Sequence, residues 1–146
     1  LLPLPVPLQI QYWSGAAQGW QLNAADTCTA LNAGHFAFDF PAQGAGNGLQ
    51  ACETALTVGG SAPDYRLTLD APGAGNGGWT DLTLNLGAAV VGKQCASRGG
   101  GGPDDLPANA AWLQFNWKGS VDNPSARATF GVVRSGPVIH RREVFR

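Results

Sequence analysis

The sequence predicts an all-β protein, an antiparallel β-sandwich of about nine strands. Glycine, proline or asparagine interrupts every long stretch before an apolar pattern of helical spacing can complete three turns. Apolar residues instead alternate with other residues at a period of two, in short segments separated by turn clusters. Glycine (21) and proline (10) make up more than a fifth of the 146 residues, and charged residues only 13 %. This composition is typical of a turn-rich β-protein and not of a helical one.

The predicted strands follow one another along the chain. The first covers the alternating residues 6–12, and a short strand is predicted around Trp20 and Leu22. The others are predicted at residues 36–40, 55–58, 65–69, 79–86, 112–117, 128–134 and 138–145. We expect one domain over residues 1–146, in which the glycine-rich residues 95–109 form a flexible surface loop and not a domain boundary.

Two glycine-rich turns have nearly the same sequence. Residues 44–48 and 73–77 both read Gly-Ala-Gly-Asn-Gly, and Asn-Gly is favoured where a tight reversal needs positive φ. The likeness arises either from an internal duplication or from convergence of turn sequences. No helix pattern follows either copy, so a phosphate-binding loop is not expected.

Prolines occupy alternate positions at the start of the chain, at Pro3, Pro5 and Pro7. Because alternate residues direct their backbone nitrogens to the same side of a strand, that side lacks donors. We therefore predict an edge strand. The alternative is a strand donated to a neighbouring subunit, with an inserted apolar row made of Leu4, Val6, Leu8, Ile10 and Tyr12.

The chain has three cysteines, Cys28, Cys52 and Cys95, with none of the short spacings of a zinc or dithiol motif. A disulfide between Cys28 and Cys52 is the favoured prediction, because both flank the strand predicted at residues 36–40. Cys95 is then free, pairs with another chain, or replaces one of the other two in the bridge.

The charge and motif content excludes several functions. Nine Lys and Arg against ten Asp and Glu give a net charge of -1, so neither nucleic acid nor a membrane is expected as a partner. Gly87–Lys93 resembles a phosphate-binding loop, but Gln94 lacks the hydroxyl that would bind magnesium. In residues 116–124, oxygen-bearing side chains suggest a cation site, yet Lys118 favours a simple hairpin. We expect no metal and no cofactor.

No catalytic motif is present, so a non-enzymatic protein is predicted. An enzyme would need a site formed only by folding, for example around His35 or His140. Five tryptophans lie at predicted strand ends. Most should pack in the core or at its rim, but Trp20 and Trp79 are candidates for a carbohydrate-stacking surface.

The chain resembles the C-terminal region of MshQ-like proteins, which are associated with MSHA-type type IV pili of Gram-negative bacteria. The resemblance is carried by Leu-Pro-Leu-Pro-Val-Pro-Leu at 2–8, Asp-Thr-Cys-Thr at 26–29, Trp-Leu-Gln-Phe-Asn-Trp at 112–117 and Asn-Pro-Ser-Ala-Arg-Ala-Thr-Phe-Gly at 123–131. It implies a C-terminal domain of a longer exported protein, located outside the cell or at its surface. Asn116 and Lys118 replace acidic residues of the family loop, so the resemblance does not imply calcium here.

From these observations we expect a structural or adhesive domain of a pilus-associated surface protein. Its partners would be other pilus or surface-protein subunits, a second copy of itself, or an environmental glycan. Contacts between subunits are expected at the N-terminal apolar row and at the last predicted strand, through Val138, Val144 and Phe145.

Overall fold

A computed structural model describes residues 1–42, 46–87, 92–100, 107–116 and 119–131. These residues contain ten β-strands and two short 3-10 turns, without an α-helix. The strands are β1 (Leu4–Gln9), β2 (Gln11–Trp13), β3 (Trp20–Leu22), β4 (Phe36–Asp39), β5 (Leu56–Ser61), β6 (Asp64–Leu69), β7 (Gly78–Leu84), β8 (Phe115–Asn116), β9 (Val121–Asp122) and β10 (Ser125–Phe130). The predicted all-β class is confirmed, with a strand count that differs from nine.

Two three-stranded antiparallel sheets form the body of the protein. One has the order β1-β6-β5 and the other β10-β7-β4. Two further strand pairs, β2-β3 and β8-β9, form separate hairpins. The inner faces of both sheets contribute to one hydrophobic core, which gives a sandwich-like arrangement.

The period of two in the sequence decides which side chains enter this core. Along β7, buried residues alternate with half-exposed ones, so Thr80, Leu82 and Leu84 face inward while Trp79 and Asp81 face outward. The core joins aromatic residues of one sheet to leucines of the other, among them Phe36, Phe38, Phe130, Leu56, Leu67 and Leu69.

Within the part of the chain that the structure describes, the N-terminal strand lies at the edge of its sheet as predicted, because β1 pairs there with β6 only. The Ile10 N–H donates to the Pro63 carbonyl at 2.9 Å. With the antiparallel register, this places the backbone groups of Leu4, Val6 and Leu8 toward β6 and the proline nitrogens on the free side. Leu4, Val6 and Leu8 pack half-buried against the core of their own chain. Ile10 is buried and Tyr12 is exposed.

The predicted disulfide between Cys28 and Cys52 is wrong. The bridge joins Cys52 to Cys95, and Cys28 is an exposed free cysteine. Cys95 is buried beside the start of β5, where its carbonyl accepts the Leu56 N–H at 2.8 Å. The fold therefore brings together two cysteines that are 43 positions apart in the chain, and leaves Cys28, which is nearer to Cys52 in sequence, outside the bridge.

The two similar turns use their residues differently from the prediction. The positive φ angles are at Gly46 and Gly75, each one residue before the asparagine. The Asn47 side chain instead accepts the Trp79 N–H at 3.0 Å, and Asn76 donates to Glu53. The two turns also lie side by side, because the Gly48 N–H donates to the Gly77 carbonyl at 2.8 Å.

Some predicted features lie outside the described residues. These are the strand at 138–145 with Val138, Val144 and Phe145, the glycine-rich middle of the predicted loop at 101–106, and His140. The start of that loop is attached to the body, since the Gly99 N–H donates to the Cys52 carbonyl at 2.9 Å.

Candidate functional site

Four exposed aromatic residues gather at one end of the sandwich and form what we call the aromatic patch: Trp13, Trp20, Trp112 and Phe115. Trp13 and Trp20 stand directly opposite each other on the β2-β3 hairpin. Their ring centroids are 5.6 Å apart at an interplanar angle of 65°, an edge-to-face contact that is favourable for aromatic pairs. The connecting turn needs positive φ, which Gly15 and Gly19 supply.

The second hairpin completes the patch. Phe115 of β8 meets Trp20 edge-to-face, with centroids 5.1 Å apart and planes at 88°. Trp112 lies on the 3-10 turn Ala111–Leu113 just before β8, and 69 % of its surface is exposed. Leu22 shares the strand face of Trp20, since side chains two positions apart point the same way, and it is also exposed.

A cavity of about 300 Å³ opens beneath the patch. Its floor is the end of the core, formed by Leu8, Ile10, Leu84 and Leu86, and its walls include Trp20, Trp112 and Phe115. The polar lining side chains are carboxamides, Gln9, Gln11 and Gln114, and none of the lining residues that the structure describes carries a formal charge. A cavity of this kind suits an apolar or neutral group.

The carboxamides beside the patch are held by hydrogen bonds. Gln11 donates to Gln9 at 3.2 Å, and Gln9 donates to Asp64 at 3.2 Å. Below the cavity, the buried Asn123 accepts the Leu86 N–H at 3.0 Å and the Gln114 amide at 2.9 Å. These bonds fix the approach of β9 to the end of β7.

The structure does not bring Trp20 and Trp79 together. Trp79 lies on the outer face of β7, where the Arg127 guanidinium covers its ring at 5.6 Å from the centroid. Arg127 also makes a two-point contact with Asp81 at 2.7 and 2.8 Å. The hydrogen bond with Asp81 is the main reason why the pKa of Arg127 is raised above its ordinary value. A cation already stacks on Trp79, whereas Trp20 contacts only other rings among the described aromatic pairs.

Hydrogen bonds and burial within the fold shift the pKa of three further titratable groups, Asp26, Glu53 and His35. Asp26 accepts hydrogen bonds from the Thr29 hydroxyl at 2.6 Å and from the Thr29 and Cys28 N–H groups, which lower its pKa. Burial raises the pKa of Glu53, but hydrogen bonds from Asn76, Gln50 and Gly73 outweigh it, and the pKa is lowered. Burial lowers the pKa of His35, whose ring accepts the Asn32 N–H at 3.3 Å.

The residues considered for a cation do not form a ligand set where the structure describes them. The side-chain oxygen of Asn123 already accepts hydrogen bonds from the Leu86 N–H and the Gln114 amide. Asp122 accepts the N–H of Asn123 at 2.7 Å. Across the described ranges, no group of three or more His, Cys, Asp or Glu could hold a metal. The segment forms the hairpin strands β8 and β9, with Phe115 opposite Asp122 and Asn116 opposite Val121.

The comparison with protein families gives one match that covers almost the whole chain. The model of the fourth domain of DUF6701 matches residues 1–144. The chain belongs to this DUF6701 family. No curated protein and no solved structure matches it significantly. Among the described residues of this DUF6701 domain, no helix is long and apolar enough to cross a membrane. Its disulfide is compatible with an oxidising, extracellular compartment.

The sequence prediction named Trp20 but missed Trp13, Trp112 and Phe115. One signal was present for Trp13, because Trp13 and Trp20 are nearly symmetric about a turn that contains Gly15 and Gly19. A hairpin with this turn places the two rings opposite each other. Phe115 and Trp112 carried no such signal, since their approach depends on how the two hairpins of this DUF6701 domain pack.

Proposed function

We propose that this domain is a non-catalytic contact module of an exported bacterial surface protein. It acts in adhesion or in assembly of a surface appendage, through protein–protein contacts. The resemblance to MshQ-like proteins supports a pilus-associated setting at the surface of a Gram-negative bacterium, with other surface-protein subunits or a second copy as partners. The single observation that carries the proposal is the aromatic patch above its uncharged cavity.

The argument for contact rests on the cost of leaving such rings in water. Burying a large apolar side chain is worth roughly 1.5–3 kcal/mol, and Trp112, Trp13, Phe115 and Trp20 remain 69 %, 56 %, 46 % and 43 % exposed. A contiguous exposed apolar area on a soluble domain marks an interaction surface. Tryptophan is enriched among the residues that dominate binding energy in protein interfaces.

Photocrosslinking on intact cells tests this function. A photoreactive phenylalanine analogue replaces Trp112 in the exported protein that carries the domain, and crosslinked neighbours are identified by mass spectrometry. We expect a protein neighbour whose yield falls at least about tenfold with Trp20→Ala, the loss of roughly 1.4 kcal/mol or more at a central contact. The matched control Trp79→Ala removes a ring outside the patch and should leave the yield unchanged. No protein adduct, or equal loss in both variants, would contradict the proposal.

Carbohydrate binding is the second candidate function. It is favoured by the position of exposed indole rings next to carboxamides, since Gln9, Gln11 and Gln114 line the same uncharged cavity as Trp20 and Trp112. A glycan array with the purified domain tests it. Binding lost with Trp20→Ala and kept with Trp79→Ala would support it, and an array without binding would count against it.

A further inference from the structure

The cavity beneath the aromatic patch is surrounded by leucines from four separate segments of the chain. Leu8 comes from β1, Leu31 from the segment before β4, Leu86 from the end of β7 and Leu113 from the 3-10 turn before β8. Leu86 is buried, whereas the other three are half-buried. Part of their apolar surface therefore stays in contact with water. An apolar group that enters the cavity removes this surface from water, which favours its binding.

The size of the cavity limits the group that can enter it. A closed apolar cavity of about 150 Å³ is large enough to bind benzene, and this cavity measures about 300 Å³. Ligand pockets usually measure about 300–1,000 Å³, so this one lies at the lower end of that range. It has room for a single side chain with one or two rings, and not for an extended ligand.

The polar groups beside the cavity fit a saccharide or an ion poorly. Each carboxamide already donates a hydrogen bond within the protein, Gln11 to Gln9, Gln9 to Asp64 and Gln114 to Asn123. A sugar inside the cavity would bury several hydroxyls against aliphatic side chains, and a buried hydroxyl without a partner is costly. None of the described lining residues carries a charge that could compensate a buried ion. A neutral apolar group is therefore favoured.

The rings in the wall favour an aromatic group over an aliphatic one. Trp20, Trp112 and Phe115 line the cavity, and Trp20 already meets Phe115 edge-to-face. A further ring can make contacts of the same kind, which an aliphatic group cannot. We infer that the cavity is the receptor site for one uncharged aromatic side chain of the protein that the aromatic patch contacts. The inference rests on the proposed contact function and adds the chemical class of the group that the partner inserts.

NMR titration of the whole 146-residue chain with three small probes tests this assignment. The probes are indole, which is neutral and aromatic, methyl β-D-glucopyranoside, which is a sugar, and choline, which is a cation. We expect indole to bind with a Kd of about 1 mM or lower, and the other two at least about tenfold more weakly.

The methyl signals locate the bound probe. Indole should shift the methyl signals of Leu31, Leu86 and Leu113, while those of Leu49 and Leu56 stay in place, because these two are buried in the core but do not line the cavity. Indole shifts that do not saturate at the three cavity leucines would overturn the inference. Binding of the glucoside or of choline as tight as that of indole would also overturn it.

A variant that fills the cavity and a matched control sharpen the test. Leu113→Trp adds a two-ring side chain to the wall and should weaken indole binding at least about tenfold. Leu22→Trp makes the same exchange at an exposed position that does not line the cavity, and should leave the Kd unchanged. Indole binding to Leu113→Trp as tight as to the wild type would overturn the inference. The wild-type titration decides the question even if Leu113→Trp does not fold.

The inference and the contact function fail in different ways. If photocrosslinking finds no protein neighbour, the contact function fails, and the titration still decides whether the cavity takes an uncharged ring. If photocrosslinking finds a protein neighbour but indole does not bind, the inference alone fails.

Discussion

At the scale of single residues, side-chain hydrogen bonds to the backbone hold the glycine-rich turns in place, which the glycine content alone does not determine. The buried Asn47 binds both the N–H and the carbonyl of Trp79, at 3.0 and 3.3 Å, and so pairs with the start of β7 as a strand would. This leaves no space at Gly78, where an added Cβ would overlap the Asn47 side chain. Glycine is required there by close approach, and not by its φ angle.

Gly78→Ala is therefore expected to destabilise the domain by about 1–3 kcal/mol, the usual cost of overpacking a well-packed site. Gly59→Ala is the matched control, because its Cβ would meet only the Arg66 carbonyl at 3.7 Å, an ordinary contact. Urea denaturation of both variants measures the difference. A Gly78→Ala variant as stable as Gly59→Ala would show that Asn47 is not held where the structure places it.

The carboxylate of Asp26 gives a prediction on pH. Hydrogen bonds from Thr29 and Cys28 lower its pKa in the folded protein, so the folded state binds the proton less readily than the unfolded state. The stabilisation is complete above the unfolded value of about 3.9 and is lost as the pH falls through the lower folded value. Asp26→Asn should cost about 1 kcal/mol at pH 7 and progressively less toward pH 2. A pH-independent difference in unfolding free energy would contradict this.

At the scale of elements, the side chain of Tyr65 connects the irregular segment before β4 to the β1-β6-β5 sheet. The buried Tyr65 of β6 donates its hydroxyl to the Thr29 carbonyl at 2.6 Å and accepts the Leu31 N–H at 3.3 Å. Leu31 in turn lines the cavity under the aromatic patch. The attachment thus connects a sheet of the body with the wall of the candidate site.

Tyr65→Phe should cost about 1 kcal/mol, because it leaves the buried Thr29 carbonyl without its hydroxyl partner while the ring still packs. Amide exchange should show faster opening of residues 29–31 than of β6. Tyr12→Phe is a suitable control, since Tyr12 is 49 % exposed. Uniformly faster exchange across the whole domain would argue that Tyr65 stabilises the fold globally instead.

At the scale of the whole molecule, two features hold the distant parts of the chain together. The core joins both sheets. The Cys52–Cys95 bridge holds residues 92–95, where Lys93 forms backbone hydrogen bonds with Phe38 of β4 and Cys95 accepts the Leu56 N–H of β5. The low charge content contributes little to this architecture, because the ion pairs of Arg127 and Arg98 are exposed. Stability should therefore respond to oxidation state more than to salt.

Reduction of the disulfide is expected to lower the free energy of unfolding by about 4 kcal/mol, from the loop-entropy model with a separation of 43 residues. In a domain of this size, that loss lowers Tm by roughly 10 °C. Thermal unfolding with and without reductant measures it. Cys28→Ser should leave both melting curves unchanged, since Cys28 is outside the bridge. A lower Tm of Cys28→Ser without reductant, together with no effect of reductant on the wild type, would contradict the Cys52–Cys95 pairing.

The sequence by itself determined the class of the fold and the place of its first strand. Alternation at a period of two is a local property of the extended backbone, so it predicts strands such as β6 and β7 without knowledge of their partners. Proline removes a donor wherever it stands, so Pro5 and Pro7 marked an edge before any sheet was known.

The tertiary structure alone decided the disulfide partner of Cys52 and the composition of the aromatic patch. Both depend on which segments meet after the chain has closed long loops. The positions of Cys28 and Cys52 on either side of the strand predicted at residues 36–40 favoured their pairing, whereas the fold brought Cys95 to Cys52. Trp20 and Trp79 looked equivalent because both lie at strand ends. Packing gave one of them two aromatic neighbours and covered the other with Arg127, because side-chain environment is set by contacts between elements and not by local backbone geometry.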